Sequence, residues 1–89
     1  MIIDLGCGTR RQPGAVGVDS NAAVEPDVVH DLNRRPYPFE ESVADEVYLD
    51  NVLEHLDDVI GTLEEVHRIL RPNGTVRIDV DIGFASGRK

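Results

Sequence analysis

The sequence is poor in the residues that mark secreted, membrane-spanning and nucleic-acid-binding proteins. Its 89 residues include a single cysteine, Cys7, which excludes an internal disulfide and suits a reducing compartment, so we expect a cytoplasmic protein. No apolar run approaches the roughly 20 residues that span a bilayer. Met1 leads into an apolar segment without the basic residues that open a secretory signal. We therefore expect neither export nor insertion into a membrane.

Basic residues are scarce as well. The chain has 9 lysines and arginines against 17 acidic residues, for a formal net charge of −8. A protein that grips a phosphate backbone needs a basic face, so this balance argues against nucleic acid as the main partner of this chain. Acidity suits a cationic ligand, but it also keeps a protein in solution without any ligand. Both interpretations stay open at this point.

The length sets a limit on the core. A chain of 89 residues forms one small domain, which we place over residues 1–89, and buries only about 60–65% of the surface that its unfolded chain exposes. Hydrophobic residues make up 40% and charged residues 29%, as in an ordinary globular protein. No internal repeat or linker divides the chain.

Five short apolar segments predict β-strands. Residues 34–41 contain Pro36 and Pro38 and predict a loop, with one helical turn near Glu40–Val43. Strands separated by crossovers are typical of an α/β domain with an open parallel sheet. The predicted strands are Ile2–Leu5, Ala15–Asp19, Val28–Leu32, Ala44–Leu49 and Thr75–Ile82.

One amphipathic helix is predicted before the last strand. Asp57 or Asp58 caps its start, and the segment Pro72-Asn73-Gly74 stops it. Glu64 and Arg68 are spaced to form an i,i+4 ion pair. The residues expected on the buried stripe are Val59, Leu63, Val66 and Leu70, with Ile60 and His67 beside them.

The first crossover is unusually short. Only nine residues, 6–14, separate the first two strands, fewer than the dozen or so that a helical crossover needs. We expect a bare loop or a single turn there. The domain should therefore carry one real helix on one face of the sheet and have poor cover on the other face.

A glycine turn follows the first strand. In Asp4-Leu5-Gly6-Cys7-Gly8-Thr9 the glycines allow a sharp bend and a close approach to a ligand, and exposed amides at such a bend can bind polar groups. Glycine pairs of this kind also occur in purely structural turns. A dinucleotide fingerprint is not formed, because Arg11 stands where its third glycine would be.

Polar side chains end three further strands. Asp4, Asp19, Asp31 and Asn51 should converge beyond the carboxyl ends of the parallel strands, where open α/β sheets bind ligands. Asp19 has two acceptor oxygens and suits a ribose diol. A single polar residue at a strand end is more simply explained as the start of a turn. Four at one edge favour a site.

Four motifs, in this order and spacing, resemble class I S-adenosylmethionine-dependent methyltransferases, including those of type 11. IIDLGCGT resembles the family's first motif, and VGVD resembles its second strand with a ribose-binding acid. HDLNRRPYPFEESVADEVYLDNVLEHL resembles the stretch from the adenine-binding acid through the fourth strand. LEEVHRILRPNGTVRIDV resembles the helix, turn and fifth strand that follow. The resemblance covers nearly the whole chain and implies a Rossmann-like open sheet with strand order 3-2-1-4-5.

The resemblance implies that S-adenosylmethionine is the cofactor and assigns several residues to it. The backbone of Gly6, Cys7 and Gly8 would pass close to the methionine part. Asp4 would hold the ammonium group, directly or through water. Asp19 would bind the ribose hydroxyls.

The remaining assignments concern the adenine and the methyl acceptor. Asp31 would face the adenine amine, and Leu32 would pack on the ring. Asn51 would offer a backbone carbonyl or its amide near the methionine end. Leu53-Glu54-His55 would lie where the acceptor approaches. The acceptor is an unidentified small molecule or another, unidentified type of acceptor.

Methyl transfer by in-line displacement needs mainly proximity and orientation from the protein. A base is required only if the acceptor must lose a proton, and His55, with Glu54 beside it, is the candidate. The simpler interpretation of His55 is a histidine in a polar loop near a helix entrance. His30 and His67 are interpreted as structural, and no cluster has the spacing of a metal site.

The chain also departs from the family. Arg10 stands where a third glycine is usual, and the family's N-terminal helix, two further strands and acceptor-binding region have no counterpart. We therefore expect a truncated core. Two alternatives to an enzyme stay open: a non-catalytic S-adenosylmethionine-binding module, and a fragment whose exposed sheet surface drives self-association. A homodimer is predicted on the second ground, with exchange of an element between subunits as one route.

Overall fold

The computed structural model describes residues 1–80 and contains one five-stranded sheet with one α-helix. The helix, α1, spans Val59–Ile69, and two short 3₁₀ turns lie at Ala22–Val24 and Leu53–His55. The strands are β1 Ile2–Leu5, β2 Ala15–Asp19, β3 Val28–Val29, β4 Ala44–Asp50 and β5 Leu70–Asp79.

The sheet has the order β3-β2-β1-β4-β5, and every neighbouring pair is parallel. This confirms the predicted Rossmann-like α/β architecture. The carboxyl ends of β1, β2 and β4 lie side by side, so Leu5, Asp19 and Asp50 open onto one edge of the sheet. All the loops that carry predicted site residues leave from that edge.

The third strand is shorter than the predicted Val28–Leu32. The His30 amide still donates to the Asp19 carbonyl at 3.0 Å, but the chain then turns. The Asp31 carboxylate accepts the Asn33 amide at 2.9 Å, and this local bond draws Asp31 and Leu32 away from the sheet. Both residues are thereby placed on the loop at the carboxyl edge.

The predicted turn at residues 72–74 lies inside the last strand. Leu70 pairs with Ala44 and Thr75 with Glu46, so the extra residues bulge out of β5. Asn73 takes a left-handed conformation with φ of 69° at this bulge. The predicted helical turn near residues 40–43 is a plain turn at residues 41–42, and the predicted strand residues 81–82 lie outside the described part of the chain.

The helix begins where it was predicted, because the Asp58 carboxylate accepts the Gly61 amide at 2.8 Å. Its buried face, however, is rotated from the predicted stripe. Val59, Ile60 and Leu63 are 41%, 72% and 36% exposed. The buried residues are Thr62, Glu65, Val66 and Ile69.

The rotation has a polar cause. Glu65 is buried under the loop before β4, where its carboxylate accepts the Tyr37 amide at 2.5 Å and pairs with Arg68 at 2.6 Å. Arg68 therefore pairs with Glu65, three residues before it, and not with Glu64 as predicted. His67 lies on the exposed side, contrary to its prediction as a packed residue.

The hydrophobic core lies on the face of the sheet that α1 covers. Alternation along the strands sends Ile3, Leu5, Val18, Val47 and Leu49 to that face, and all five are fully buried. Burying such side chains contributes about 1.5–3 kcal/mol each. The sheet is therefore held together from one side.

The opposite face has no helix within residues 1–80, as predicted from the short first crossover. The loop 6–14 folds over β1 and β2 there. A Cβ built on Gly17 would lie 2.7 Å from Arg11 Nε and 2.8 Å from Cys7 Sγ, so these two side chains lie flat on the strand. Arg11 is fixed by an ion pair with Asp27 at 2.9 Å. No helix in the described part of the chain is long and apolar enough to cross a membrane.

Candidate functional site

The glycine turn after β1 forms a sharp bend at the carboxyl edge. Gly6 and Gly8 have φ of 74° and 53°, a region that favours glycine. The Gly6 and Cys7 amides both donate to the Val18 carbonyl, at 2.7 and 3.0 Å. A Cβ on Gly6 would stand 2.5 Å from a methyl group of Val52. The bend therefore requires glycine for its backbone angle and for its packing.

Asp19 lies directly against this bend. One carboxylate oxygen accepts the Gly8 amide at 2.9 Å, and the other accepts the Asn21 amide at 2.9 Å. Two backbone bonds hold the carboxylate in one orientation, and each oxygen keeps a further lone pair. The predicted glycine bend and the predicted ribose acid are thus neighbours on one rim.

A cavity of about 330 Å³ opens at this rim, and we refer to it as the edge cavity. It contains six of the nine residues predicted for the site. Ser20, His30, Asn33, Val52 and Leu56 also line it. The six predicted lining residues are Gly6, Asp19, Asp31, Leu32, Asn51 and His55.

Asp4 and Cys7, two of the other three predicted residues, lie beneath the bend. Asp4 is 2% exposed, and one of its oxygens accepts the Gln12 amide at 2.8 Å. Its second oxygen is buried and has no hydrogen-bond partner among residues 1–80. Burial raises the pKa of this carboxyl, although the Gln12 bond opposes the effect. Cys7 is a buried free thiol whose pKa is raised by burial, which makes it a poor nucleophile.

Gly8 is the third predicted residue outside the lining of the edge cavity. Its amide donates to the Asp19 carboxylate.

Asn51 follows β4 in the left-handed region, with φ of 57°, and its amide donates to the Asp79 carbonyl at 2.7 Å. This bond fixes Asn51 at the junction of β4 and β5. His55 ends the adjacent 3₁₀ turn and is exposed at the mouth of the edge cavity.

The wall of the cavity opposite the bend is built by the loop after β3. Asn33 accepts the Asp57 amide at 2.9 Å, which ties this loop to the entrance of α1. The Tyr37 hydroxyl donates to the Leu32 carbonyl at 2.9 Å. The rings of His30 and Tyr37 form a T-shaped pair, with centroids 5.7 Å apart. His30 lies after the end of β3 and not inside the strand as predicted, and it lines the cavity as well.

A buried ionic cluster holds this wall in place from below. Arg68 binds both Glu65 oxygens, at 2.8 and 2.6 Å, and reaches the Tyr37 carbonyl at 3.2 Å. The Arg68 guanidinium holds the pKa of Glu65 below its usual range, and burial raises that of Tyr37. The chain of contacts from α1 to Leu32 therefore runs through Glu65 and Tyr37.

Sequence reasoning missed Ser20, His30, Asn33, Val52 and Leu56 as lining residues. Each lies one or two positions from a predicted site residue, so the strand-end rule located the loops but not their full contribution. The local signal for Asn33 is the Asp-x-Asn spacing with Asp31, which is typical of a side-chain-stabilised turn.

The edge cavity can bind a neutral or cationic ligand that offers hydroxyl and amine donors. Its lining carries two carboxylates, two imidazoles and an apolar wall formed by Leu32, Val52 and Leu56. Within residues 1–80 no three histidine, cysteine or acidic residues are grouped so as to hold a metal ion. A nucleoside with a ribose diol matches the described set of acceptors.

A family model described as a methyltransferase domain matches residues 12–78. Among solved structures, the chain is similar to a protein assigned as an S-adenosyl-L-methionine-dependent methyltransferase from Methanococcus maripaludis, at 20% identity and a TM-score of 0.74. That match covers 92% of this chain and 48% of the other. The trans-methyltransferase CalH, solved as a complex with SAH, gives 21% identity and a TM-score of 0.69. That match covers 86% of this chain and 30% of the other.

A chain from the complex between the Haloferax volcanii Trm112 methyltransferase activator and a methyltransferase gives 28% identity and a TM-score of 0.70, over 89% of this chain and 44% of that one. A comparison with curated proteins gives no significant match. In each structural match this chain spans less than half of the other protein's length. The family model covers well over half of the 89 residues, and the strand order agrees with it. The chain therefore belongs to the methyltransferase-domain family and has the Rossmann-like fold of class I S-adenosylmethionine-dependent methyltransferases.

Proposed function

We propose that the edge cavity binds S-adenosylmethionine and that the protein transfers its methyl group to a small-molecule acceptor. The observation that carries the proposal is the bond between the Gly8 amide and the Asp19 carboxylate. It places a glycine bend that a ligand can approach closely beside an oriented pair of acceptors at the mouth of a cavity. Residues 1–89 would act together as one cofactor-binding core domain.

The residues fit this cofactor in size and in charge. A volume of about 330 Å³ lies at the low end of ligand pockets, which span about 300–1,000 Å³, and suits the adenosine part. The methionine part would continue along the Gly6–Gly8 bend. Asp4 precedes Gly6 by two residues, and one of its carboxylate oxygens is buried without a hydrogen-bond partner among residues 1–80. The ammonium group of the cofactor, or a water molecule bound to that ammonium group, would supply the missing hydrogen bond.

When bound, the cofactor supplies a methyl group on a positively charged sulfur, which an acceptor lone pair can displace in line. Asp19 would bind the ribose hydroxyls through its free lone pairs. Asp31 would accept the adenine amine, while Leu32 excludes water from one side of the ring. Asn51 would orient the methionine end.

His55 is the proposed base for acceptors that must lose a proton. It lies at the cavity mouth and follows Glu54 in the same 3₁₀ turn. A neutral imidazole can take a proton near pH 7, whereas the buried Cys7 thiol cannot serve as a nucleophile there. For acceptors that already carry a free lone pair, orientation alone suffices.

Calorimetric titration with S-adenosylhomocysteine tests the proposal. Asp19→Ala should weaken binding by about 1–3 kcal/mol, because charged hydrogen bonds to the ribose are lost. Glu40→Ala, which removes an exposed carboxylate of the loop before β4, is the matched control and should bind as the wild type does. Equal affinity of Asp19→Ala and wild type would remove Asp19 from the site, and no binding by the wild type would refute the proposal.

A non-catalytic cofactor-binding module is the second candidate, because the residues that line the edge cavity would suffice to bind the cofactor without an acceptor site. Turnover on a panel of hydroxyl, amine and carboxyl acceptors separates the two. Methylation of at least one acceptor by the wild type, at a rate that His55→Ala lowers, would support the enzyme. Tight binding without turnover on the panel would support the module.

We further propose that the protein works in the cytoplasm, where the buried free thiol of Cys7 would stay reduced. Self-association into a homodimer is also proposed. The feature that supports it is the face of the sheet opposite α1, which no helix covers within residues 1–80.

A further inference from the structure

The wall of the edge cavity opposite the glycine bend contains a tight turn of residues 31–34, and we refer to it as the wall turn. The Arg34 amide donates to the Asp31 carbonyl at 2.9 Å, and the Asn33 amide donates to the Asp31 carboxylate at 2.9 Å. Both bonds are internal to the turn and fix its shape. The wall turn therefore shifts as one unit, and the Asp31 carboxylate moves with it.

The Asp31 carboxylate has one oxygen left for a ligand. Oδ1 accepts the Asn33 amide, whereas the contact between Oδ2 and Arg34 Nε is long, at 3.9 Å. The side chain is half exposed and lines the edge cavity. Because a carboxylate only accepts hydrogen bonds, Oδ2 favours a ligand amine and repels a carbonyl oxygen in the same place. It can therefore distinguish adenine, which carries an amine at C6, from purines that carry an oxygen there.

Two hydrogen bonds tie the wall turn to more distant parts of the chain. At its exposed end, the Asn33 side chain accepts the Asp57 amide at 2.9 Å. At its buried end, the Tyr37 hydroxyl donates to the Leu32 carbonyl at 2.9 Å, and these two residues are 2% and 7% exposed. Water can replace the exposed bond more easily than the buried one. We therefore expect Tyr37 to determine where the wall turn stands.

Tyr37 is itself held in place by the helix. Its amide donates to Glu65 at 2.5 Å, and its carbonyl accepts from Arg68 at 3.2 Å. Its ring forms the T-shaped pair with His30. Burial raises the pKa of the Tyr37 hydroxyl, so this group keeps its proton near pH 7 and remains a donor. The hydroxyl is thus fixed in position and in protonation state before a ligand arrives.

We propose that Tyr37 is a positioning residue that makes the edge cavity selective for adenine over 6-oxopurines. Without its hydroxyl, the Leu32 carbonyl would be buried and unpaired, and a shift of the wall turn toward water would relieve it. This shift would carry the Asp31 carboxylate away from the adenine amine, and a misplacement of about 1 Å is enough to weaken recognition. The inference rests on the proposed cofactor binding and adds a determinant of selectivity that does not touch the cofactor.

Calorimetric titration of the whole 89-residue protein with two ligands tests the proposal. S-adenosylhomocysteine carries the amine, and S-inosylhomocysteine carries a carbonyl oxygen in its place on the same ribose and amino acid. The wild type should bind the first about 100-fold more tightly or better, because the second leaves the carboxylate unpaired. Tyr37→Phe keeps the ring and should lower this ratio at least about tenfold, the effect of losing one hydrogen bond to a charged group.

Tyr48→Phe is the matched control. It removes a hydroxyl that donates to Glu46 at 2.8 Å on the other face of the sheet, so it should keep the wild-type ratio. The ratio separates positioning from stability, because a general loosening of the fold would weaken both ligands alike. Circular dichroism confirms that each variant is folded.

Two further variants test the route of the effect. Asp31→Asn keeps an oxygen for the Asn33 amide but removes the charge, and Tyr37→Phe should then lower the ratio no further, because both changes act on one contact. Glu65→Gln reaches Tyr37 from the helix side and should lower the ratio by a smaller factor than Tyr37→Phe does. Its ratio decides the test if Tyr37→Phe does not fold.

The outcomes separate this inference from the proposed function. A wild type that does not bind S-adenosylhomocysteine refutes both. Binding with equal affinity for the two ligands, or with a ratio that Tyr37→Phe leaves unchanged, overturns the role of Tyr37 and keeps the cofactor site. A further loss in the Asp31→Asn background overturns it as well, since Tyr37 would then act by another route. A loss of about tenfold that disappears in that background supports the proposal.

Discussion

The two faces of the sheet differ sharply in chemistry. Under α1 the strands present Ile3, Leu5, Val47 and Leu49, all fully buried. On the other face the same strands present Asp4, Glu46, Tyr48, Arg77 and Asp79. Among the described residues 1–80, the loop 6–14 alone covers part of that second face.

The difference matches the cover that the described residues 1–80 give to each side of the sheet. Parallel strands buried on both faces read as continuous apolar runs. Here β4 and β5 alternate instead, as in VYL and TVRID, so the uncovered face is polar and tolerates water. Tyr48 supports this view, because its hydroxyl donates to Glu46 at 2.8 Å. The core and the site nevertheless share residues, because Leu32 and Val52 belong to the core and also line the edge cavity.

The largest expected effect comes from the covered face. Leu49→Ala removes a fully buried side chain between β1 and β5 and should lower the free energy of unfolding by about 2–5 kcal/mol. Thr75→Ala, on the uncovered face of β5, should stay within about 0.5 kcal/mol of wild type. Urea unfolding measures both. Equal losses would mean that the two faces contribute alike, contrary to the comparison.

The next effect concerns the polar cluster under the covered face. Glu65→Gln replaces the buried ion pair with Arg68 by a neutral contact and should cost about 2 kcal/mol at pH 7. The folded pKa of Glu65 is lowered, so the wild type holds this stability above the unfolded pKa, about 4.3, and loses it as pH falls through the folded value. The difference between variant and wild type should thus shrink in acid.

A matched control for this cluster is Glu64→Gln, one residue away on the exposed side of α1. It should change neither the stability nor its pH dependence appreciably. If Glu64→Gln and Glu65→Gln behaved alike at pH 7 and in acid, the observed rotation of the helix would be contradicted.

The strands and their crossovers could be predicted because they follow from short-range rules, whereas the strand order was implied by the family resemblance. Apolar runs that end in glycine or an acidic residue located the strands. The first crossover has only nine residues, and this length predicted that it would contain no helix. The face of α1 could not be predicted in the same way. The predicted stripe of Val59, Leu63, Val66 and Leu70 has the right spacing. The loop that bears Tyr37, however, offers Glu65 a buried hydrogen-bond partner, and that contact is not local in sequence.

The site was predictable in outline for a similar reason. Polar residues at strand ends must meet at one edge of a parallel sheet, so Asp19 and Asn51 could be expected at that edge. The buried position of Asp4 could not, because it depends on the path of the loop that carries Gln12. The role of Tyr37 in fixing Leu32 was likewise hidden, since two loop residues meet only once α1 has packed.

A smaller loss should come from the loop-covered face. Gly17→Ala adds a methyl group where Arg11 and Cys7 lie flat on β2, and overpacking of this kind should cost about 1–2 kcal/mol. Combining it with Arg11→Ala should recover part of the loss, because one of the two conflicting side chains is then absent. Thermal unfolding of the four proteins in this cycle gives the coupling. Strict additivity would show that Arg11 does not lie on Gly17.

The smallest expected change is a gain, and it separates stability from binding at one residue. Burial raises the folded pKa of Asp4, so the native protein loses stability as pH rises from the unfolded value, about 3.9, through the folded one. Asp4→Asn keeps an acceptor for the Gln12 amide and removes the buried charge, so it should unfold at a higher temperature than wild type at pH 7, with the advantage fading toward pH 4. The same variant should bind S-adenosylhomocysteine more weakly, since an amide no longer attracts the ammonium group. A variant that is both less stable at pH 7 and equal in affinity would show that the buried carboxylate serves the loop and not the cofactor.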